Sequence, residues 1–289
     1  MQIYSIAIHG GAGTLVKGMM TAKLEREYKA ALCEALDIGY NVLRSGGTAI
    51  DAVEKAVICL EDSPLFNAGK GSVFTAKGNH EMDAAIMEGR NLQAGAVSLV
   101  EGIKNPISLA RDVMEKSGHV FLAAEGAMEF AKALNYTFEN ADYFYDELRH
   151  KQWLEIKDSD TFQLDHSANK DSKFGTVGAV ACDTKGNVAA ATSTGGMTNK
   201  RFGRVGDSPL IGAGNYENNK TCAVSCTGSG EYFIRGVIAY EVSALMEFKN
   251  LTLQESAHDL INNILVKIKG DGVLIAFDHK VNITMPFNK

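Results

Sequence analysis

Gly175-Thr176-Val177-Gly178-Ala179-Val180-Ala181-Cys182-Asp183 runs through Thr184-Lys185-Gly186-Asn187 into Val188-Ala189-Ala190-Ala191-Thr192-Ser193-Thr194. Small and β-branched residues on both sides of a polar, glycine-bearing turn predict a hairpin of two strands, Val177–Cys182 and Val188–Thr194. Just upstream the character is different. Residues 157–173, Lys-Asp-Ser-Asp-Thr-Phe-Gln-Leu-Asp-His-Ser-Ala-Asn-Lys-Asp-Ser-Lys, are polar and charged without sustained periodicity, the composition of a flexible linker. Thr176 therefore stands where a cuttable segment meets a buried strand.

Working outward, the N-terminal side begins with an apolar strand over Ile3–His9, which ends in His9-Gly10-Gly11-Ala12-Gly13. Apolar residues at helical spacing mark a helix over Leu24–Leu43. Thr48 is an N-cap for a second helix carrying Ile50, Val53, Val57 and Leu60, which Pro64 ends. Short strands are expected near Val73–Thr75, Glu81–Met87 and Ala94–Val100, and helices near Pro106–Lys116, Glu125–Leu134 and Tyr143–Ile156. Beyond the hairpin lie a strand at Cys222–Cys226, a helix from Glu231 to Phe248, another over Leu253–Val266, and a terminal hairpin, Val273–Phe277 with Val281–Met285. This order predicts sheets covered by helices in one domain.

Composition narrows the function. The chain has 289 residues, 45% of them hydrophobic, with a formal net charge of −6. That balance lacks the basic face that nucleic acid demands. No apolar run approaches the roughly 20 residues of a membrane helix, and the first residues carry no secretion signal. Five cysteines without a Cys-x-x-Cys pair read as free thiols in a reducing, cytoplasmic compartment, with Cys222 and Cys226 on one strand face.

Several motif-like strings fail. The first glycine turn has Val16 where a dinucleotide fingerprint needs its third glycine, and Ala68-Gly69-Lys70-Gly71 lacks the Lys-Ser/Thr of a phosphate loop. His80-Glu81 has no second histidine at the spacing of a zinc helix. What remains is Thr176. Freed as an N-terminus, a threonine carries a hydroxyl nucleophile and its own base, an α-amino group whose ordinary pKa is roughly 8. The histidine competitor for that base is His9, read as a satisfied core residue.

The string from Gly175 to Asp183 resembles the start of the β-subunit in plant-type asparaginases, the isoaspartyl peptidase/asparaginase branch of the N-terminal-nucleophile hydrolases. The blocks around His9–Gly13, Pro64–Gly69, Thr192–Met197, Gly203–Pro209, Gly212–Gly214 and Thr227–Glu231 are similar to that family's in the same order. The resemblance covers all but the linker. It implies an αββα four-layer sandwich with mainly antiparallel sheets: a single domain over 1–289, cut by its own Thr176 into 1–175 and 176–289, which assemble as (αβ)2. It implies hydrolysis of L-asparagine and isoaspartyl peptides with no cofactor in catalysis.

By the same resemblance Gly175 and Thr176 flank the cut and Thr176 is the nucleophile, with Thr194 orienting its hydroxyl. Thr227 and Gly228 form the oxyanion hole, Arg204 clamps the substrate α-carboxylate, and Asp207 with the Gly230 carbonyl holds the α-ammonium. Asn67 steadies the threonine region. The backbone of Leu60, Glu61, Ser63, Phe66, Ala68 and Lys70 lies where the family wraps a structural Na+. Glu217 stands where the family has a small residue, and the chain stops at Pro286-Phe287-Asn288-Lys289 where the family continues with a Gly-Met-containing segment. Two alternatives stay open: a glycosylasparaginase-like activity, and a non-catalytic amino-acid binder built on Arg204 and Asp207.

Overall fold

A computed structural model describes residues 4–12, 20–158 and 175–288. The greater part of the expected linker, from residue 159, lies outside the described residues, as does Gly13. The strands are β1 (Ser5–His9), β2 (Met82–Glu88), β3 (Ala94–Val100), β4 (Phe121–Ala123), β5 (Val177–Cys182), β6 (Val188–Thr194), β7 (Asn215–Glu217), β8 (Cys222–Gly228), β9 (Gly272–Asp278) and β10 (Ile283–Thr284). The helices are α1 (Ala22–Arg44), α2 (Ala49–Glu61), α3 (Pro106–Lys116), α4 (Ala124–Ala133), α5 (Ala141–Phe144), α6 (Glu147–Ile156), α7 (Gly230–Gly236), α8 (Ile238–Lys249), α9 (Leu253–Asp259) and α10 (Leu265–Lys267).

One sheet runs β1-β5-β6-β2-β3-β4 and the other β10-β9-β8-β7. All pairings are antiparallel except β3 with β4. The period-2 geometry of each strand sorts its side chains between two layers. On β6, Ala189 and Ala191 pack with Val53, Val57 and Leu60 of α2, whereas Val188 and Ala190 meet Ala223 of β8 and Phe277 of β9 between the sheets. Cys222, Val224 and Cys226 face outward onto α8 and α9. The expected αββα sandwich results. Both cysteines of that strand lie on one face with free thiols.

Local chemistry sets the helix ends. Thr21 and Thr48 accept from the backbone N–H of Leu24 and Asp51, capping α1 and α2, and Thr252 forms a capping box with Glu255 on α9. Helix α3 lies so close to β3 that a Cβ at Gly95 would meet the Met114 amide at 2.6 Å.

Some expected elements break. Val73–Thr75 forms no strand, because the Thr75 N–H and carbonyl are used in a turn with Asn79 and Gly78. The helix expected over Tyr143–Ile156 is interrupted at Tyr145, since Asp146 caps a new helix by accepting from the Arg149 N–H at 2.9 Å. The one from Glu231 divides at Val237, whose φ of 47° is left-handed. The one over Leu253–Val266 passes through a π-helical turn at Leu260–Ile264. The three-residue strands β4 and β7 carry too little pattern to be read in advance.

Candidate active site at the end of strand β5

Strands β5 and β6 pair antiparallel with Val177 opposite Ser193, so one step further along the register Thr176 faces Thr194. Their hydroxyls meet: Thr176 Oγ1 donates to Thr194 Oγ1 at 3.0 Å, and the Gly196 N–H donates to the same Thr194 oxygen at 3.0 Å. Thr194 is buried, and Thr176 is only partly covered. A hydroxyl that spends its proton on Thr194 leaves its lone pairs free.

Asn67 ties three segments together there. Its N–H donates to the Gly175 carbonyl at 3.3 Å, its carbonyl accepts from the Gly195 N–H at 2.9 Å, and its amide donates to the Gly196 carbonyl at 2.7 Å. Its amide oxygen accepts from the Val73 N–H at 3.1 Å. Every polar group of a buried side chain is used, which is why an amide suits the position. From the outer layer, Ser193 Oγ donates to the buried Glu61 carboxylate at 2.6 Å, anchoring the end of β6 to α2. Burial pushes the Glu61 carboxyl up to about 8.

His9 closes the other flank. Its Nδ1 lies 3.1 Å from the Thr176 carbonyl oxygen and its Nε2 lies 2.9 Å from Ser225 Oγ. Ser225 Oγ lies 2.8 Å from Thr192 Oγ1. Burial drives the imidazole down to about 4, so it is neutral at physiological pH. His80 is held by Ser72 and by the Phe74 ring, away from these groups.

Thr227 lies two residues beyond Ser225 on the inward face of β8, as Thr194 lies two beyond Thr192 on β6. Gly228 has φ of 155° and sits against Gly272, where a Cβ would have 2.7 Å. Only glycine presents its N–H from that conformation without strain.

Arg204, Asp207 and Gly230 form a second group. A Cβ at Gly230 would lie 2.7 Å from Asp207 Oδ1 and 3.1 Å from Arg204 Nη2, so the absence of a side chain keeps both charges accessible. Arg204 does not spend itself on Asp207. Its Nε donates to Glu231 Oε1 at 2.9 Å, which leaves the ends of the fork for another anion. Asp207 is 4% exposed, its Oδ2 has no partner among the described residues, and burial raises its carboxyl to about 7 against the pull of Arg204. A buried, unpaired carboxylate oxygen beside a guanidinium fits an ammonium group that arrives with a carboxylate. A cavity of about 370 Å³ opens against Arg204 and Glu231.

Sequence reasoning missed two charged residues. Glu231 holds Arg204, and its signal was its place directly after Gly230. Lys200 is buried under the same loop with its ammonium donating to the Glu81 carbonyl at 2.7 Å, and nothing in its neighbourhood of sequence pointed inward.

The loop after α2 curls on itself. Gly71 packs against the carbonyls of Phe66 and Pro64, and Gly69, at φ of 53°, packs against that of Glu61. The Glu61 carboxylate is turned away to Ser193 and the Ile107 N–H. The loop therefore offers neutral carbonyl oxygens, a donor set for a hard cation of low charge. Among the described residues no group of three or more His, Cys, Asp or Glu is arranged to bind a metal.

Comparison with known proteins gives the chain a family. The family model described as asparaginase matches residues 1–289. An isoaspartyl peptidase of Escherichia coli is 48% identical over 286 residues, spanning 98% of this chain and 89% of that protein. An isoaspartyl peptidase/L-asparaginase of Homo sapiens is 45% identical over 271 residues, spanning 93% of this chain and 85% of that one. The corresponding protein of Xenopus laevis is 43% identical over 284 residues, spanning 98% and 88%.

Proposed function

Since this chain belongs to the asparaginase family, we propose that it is a self-processing amidohydrolase that cleaves isoaspartyl peptides and L-asparagine through Thr176. The observation that carries the reading is the Thr176 hydroxyl, oriented by Thr194 at 3.0 Å and attached directly to a Gly175 carbonyl that accepts from the Asn67 N–H.

In maturation, Thr176 Oγ attacks the Gly175 carbonyl carbon and the acyl group passes from nitrogen to oxygen. Water hydrolyses the ester, leaving a Gly175 carboxylate and a free Thr176 amine. In turnover that amine takes the Thr176 hydroxyl proton, and Oγ adds to the side-chain carbonyl of the substrate. The Thr227 hydroxyl and Gly228 N–H donate to the oxyanion. Ammonia, or the amine of a peptide, leaves with the proton, and water releases aspartate from the ester. Arg204 takes the α-carboxylate, while Asp207 and the Gly230 carbonyl take the α-ammonium.

The loop of Leu60, Glu61, Ser63, Phe66, Ala68 and Lys70 would hold a Na+ through its carbonyls, steadying Asn67 from behind. The cut halves would pair as (αβ)2. Free cysteines support a reducing, cytoplasmic setting, and no helix among the described residues is long and apolar enough to cross a membrane.

The test is maturation itself. Scaling 31.1 kDa over the chain gives fragments of about 19 and 12 kDa, the smaller beginning Thr-Val-Gly-Ala-Val. Thr176→Ala should remain a single band and lose turnover. A wild-type protein that hydrolyses substrate while staying a single 31.1 kDa band would refute the N-terminal-threonine mechanism.

A further inference from the structure

Strand β1 pairs with β5 as far as His9 opposite Gly178. Beyond that point Gly10 and Gly11 leave the ladder of hydrogen bonds while staying alongside, Gly11 at φ of 113° lying against the backbone of Gly175. The Thr176 carbonyl is therefore left without a ladder partner from β1. The imidazole of His9, two register positions back, reaches forward and takes that oxygen at 3.1 Å. A carbonyl can only accept, so Nδ1 carries the proton and Nε2 must accept. Ser225 then donates to Nε2 at 2.9 Å, and Thr192 donates to Ser225 at 2.8 Å. The direction of the whole chain is fixed by the carbonyl at its end.

We propose that His9 is a positioning residue: its Nδ1–H, in the tautomer the carbonyl demands and with the ring held from behind by Ser225, clamps the Thr176 carbonyl and so sets the direction in which the hydroxyl and the α-amine of Thr176 face the substrate. The proposal rests on the reading of Thr176 as the nucleophile and extends it. Val177 is held in the ladder, Thr194 fixes the side-chain torsion through Oγ, and the remaining freedom is rotation of the Thr176 backbone about its Cα–C bond. Holding the carbonyl oxygen removes that rotation. The amine and the hydroxyl turn together about that bond, so holding the carbonyl keeps both aimed at the carbonyl carbon they attack. Gly178 belongs to the same device, since a Cβ there would collide with both Ser225 Oγ and His9 Nε2. His9 is 8% exposed, and burial keeps it uncharged, a donor to the carbonyl and not a base for the hydroxyl.

Two substitutions separate the halves of the chain. Asparagine places its amide N–H near the position of Nδ1, and glutamine places its own near Nε2. His9→Ala and His9→Gln should slow both self-cleavage and kcat about tenfold, the size of one lost oriented hydrogen bond, with KM within about twofold of wild type. His9→Asn should return both rates to within about threefold. Wild-type kcat in His9→Ala, an equal loss in all three variants, or rescue by glutamine instead of asparagine would overturn the clamp. If His9→Ala fails to fold, Ser225→Ala decides: without the hydroxyl on Nε2 the ring is free to turn off the carbonyl, so kcat should fall several-fold at an unchanged Tm. An unchanged kcat in that variant overturns the proposal. Thr176→Ala run beside these tells the two failures apart. If it stays active the nucleophile reading fails; if it is dead while His9→Ala turns over normally, only the clamp fails.

Discussion

Asp207 gives the sharpest test of how substrate is held. An ammonium can be bound only by the ionised carboxylate, yet burial raises this carboxyl to about 7, with Arg204 opposing the rise. Ionisation at pH 6 is then about one part in eleven and at pH 8 about ten in eleven, so the competent fraction grows about tenfold between them. L-Aspartate, the product of the proposed reaction, should bind more tightly by that factor across the interval. Other groups titrate there too, above all the Thr176 amine, and succinate removes their contribution. It has both carboxylates and lacks the α-ammonium, so it meets the same amine and the same Arg204 but gains nothing from ionised Asp207. Calorimetric titration of mature protein should show the ratio of succinate Kd to aspartate Kd rising about tenfold from pH 6 to pH 8. In Asp207→Asn the ratio should be flat, and aspartate affinity should fall roughly 10- to 100-fold, the loss of a charged hydrogen bond. A flat ratio in wild type would refute the assignment of Asp207 to the ammonium.

Thr194→Val keeps the shape and removes the oxygen that receives both Thr176 Oγ1 and the Gly196 N–H, so kcat should fall roughly 10- to 100-fold with little change in KM, measured by steady-state kinetics on L-asparagine. Thermal stability should depend on pH through buried histidines on one side and buried carboxyls on the other. His9 and His80, each lowered by burial to about 4, bind fewer protons folded than unfolded, which favours the fold as pH rises from 4 to 6.5. Glu61 at about 8 and Asp207 at about 7 bind more protons folded, which disfavours the fold as pH rises above the ordinary carboxyl range. Glu217 and Asp83, raised in the same direction by burial, add to the carboxyl side, and above pH 6.5 the contribution of the histidines fades. Stability should fall by about 2 kcal/mol or more from pH 6.5 to 8, and a Tm that climbs over that interval would contradict the assignment.

The sequence carried the central hairpin without error because β5 and β6 hold uninterrupted runs of small and β-branched residues bounded by a turn. It was weaker where one residue overrides a periodic pattern. Nothing in a run of helix formers announces that Val237 turns left-handed, and Asp146 reads as part of a helix until its side chain caps the next one. Motif likeness brought Thr176, Thr194, Asn67, Arg204 and Asp207 into view, but no pattern in one chain tells that a histidine at position 9 reaches a carbonyl at position 176. That contact exists because β1 lies beside β5 in the sheet, and pairing between distant strands leaves no mark on either alone. Glu231 and Lys200 escaped for the same reason: a charge looks like surface until its partner is known.

The same strand order bears on why a cut at Thr176 need not pull the protein apart. In the larger sheet β5 and β6, both after the cut, lie between β1 on one side and β2 on the other, both before it. Strand β5 pairs with β1 from Gly178 to Cys182, and β6 pairs with β2 from Ala189 to Thr194. Separating the halves would strip hydrogen bonds from both edges of a fully buried hairpin and expose the alanine face that α2 covers. The bond before Thr176 is thus one whose loss costs little structure. The new terminus would lie beside Gly11, which has no side chain to crowd it, while the rest of β5 stays paired on both sides.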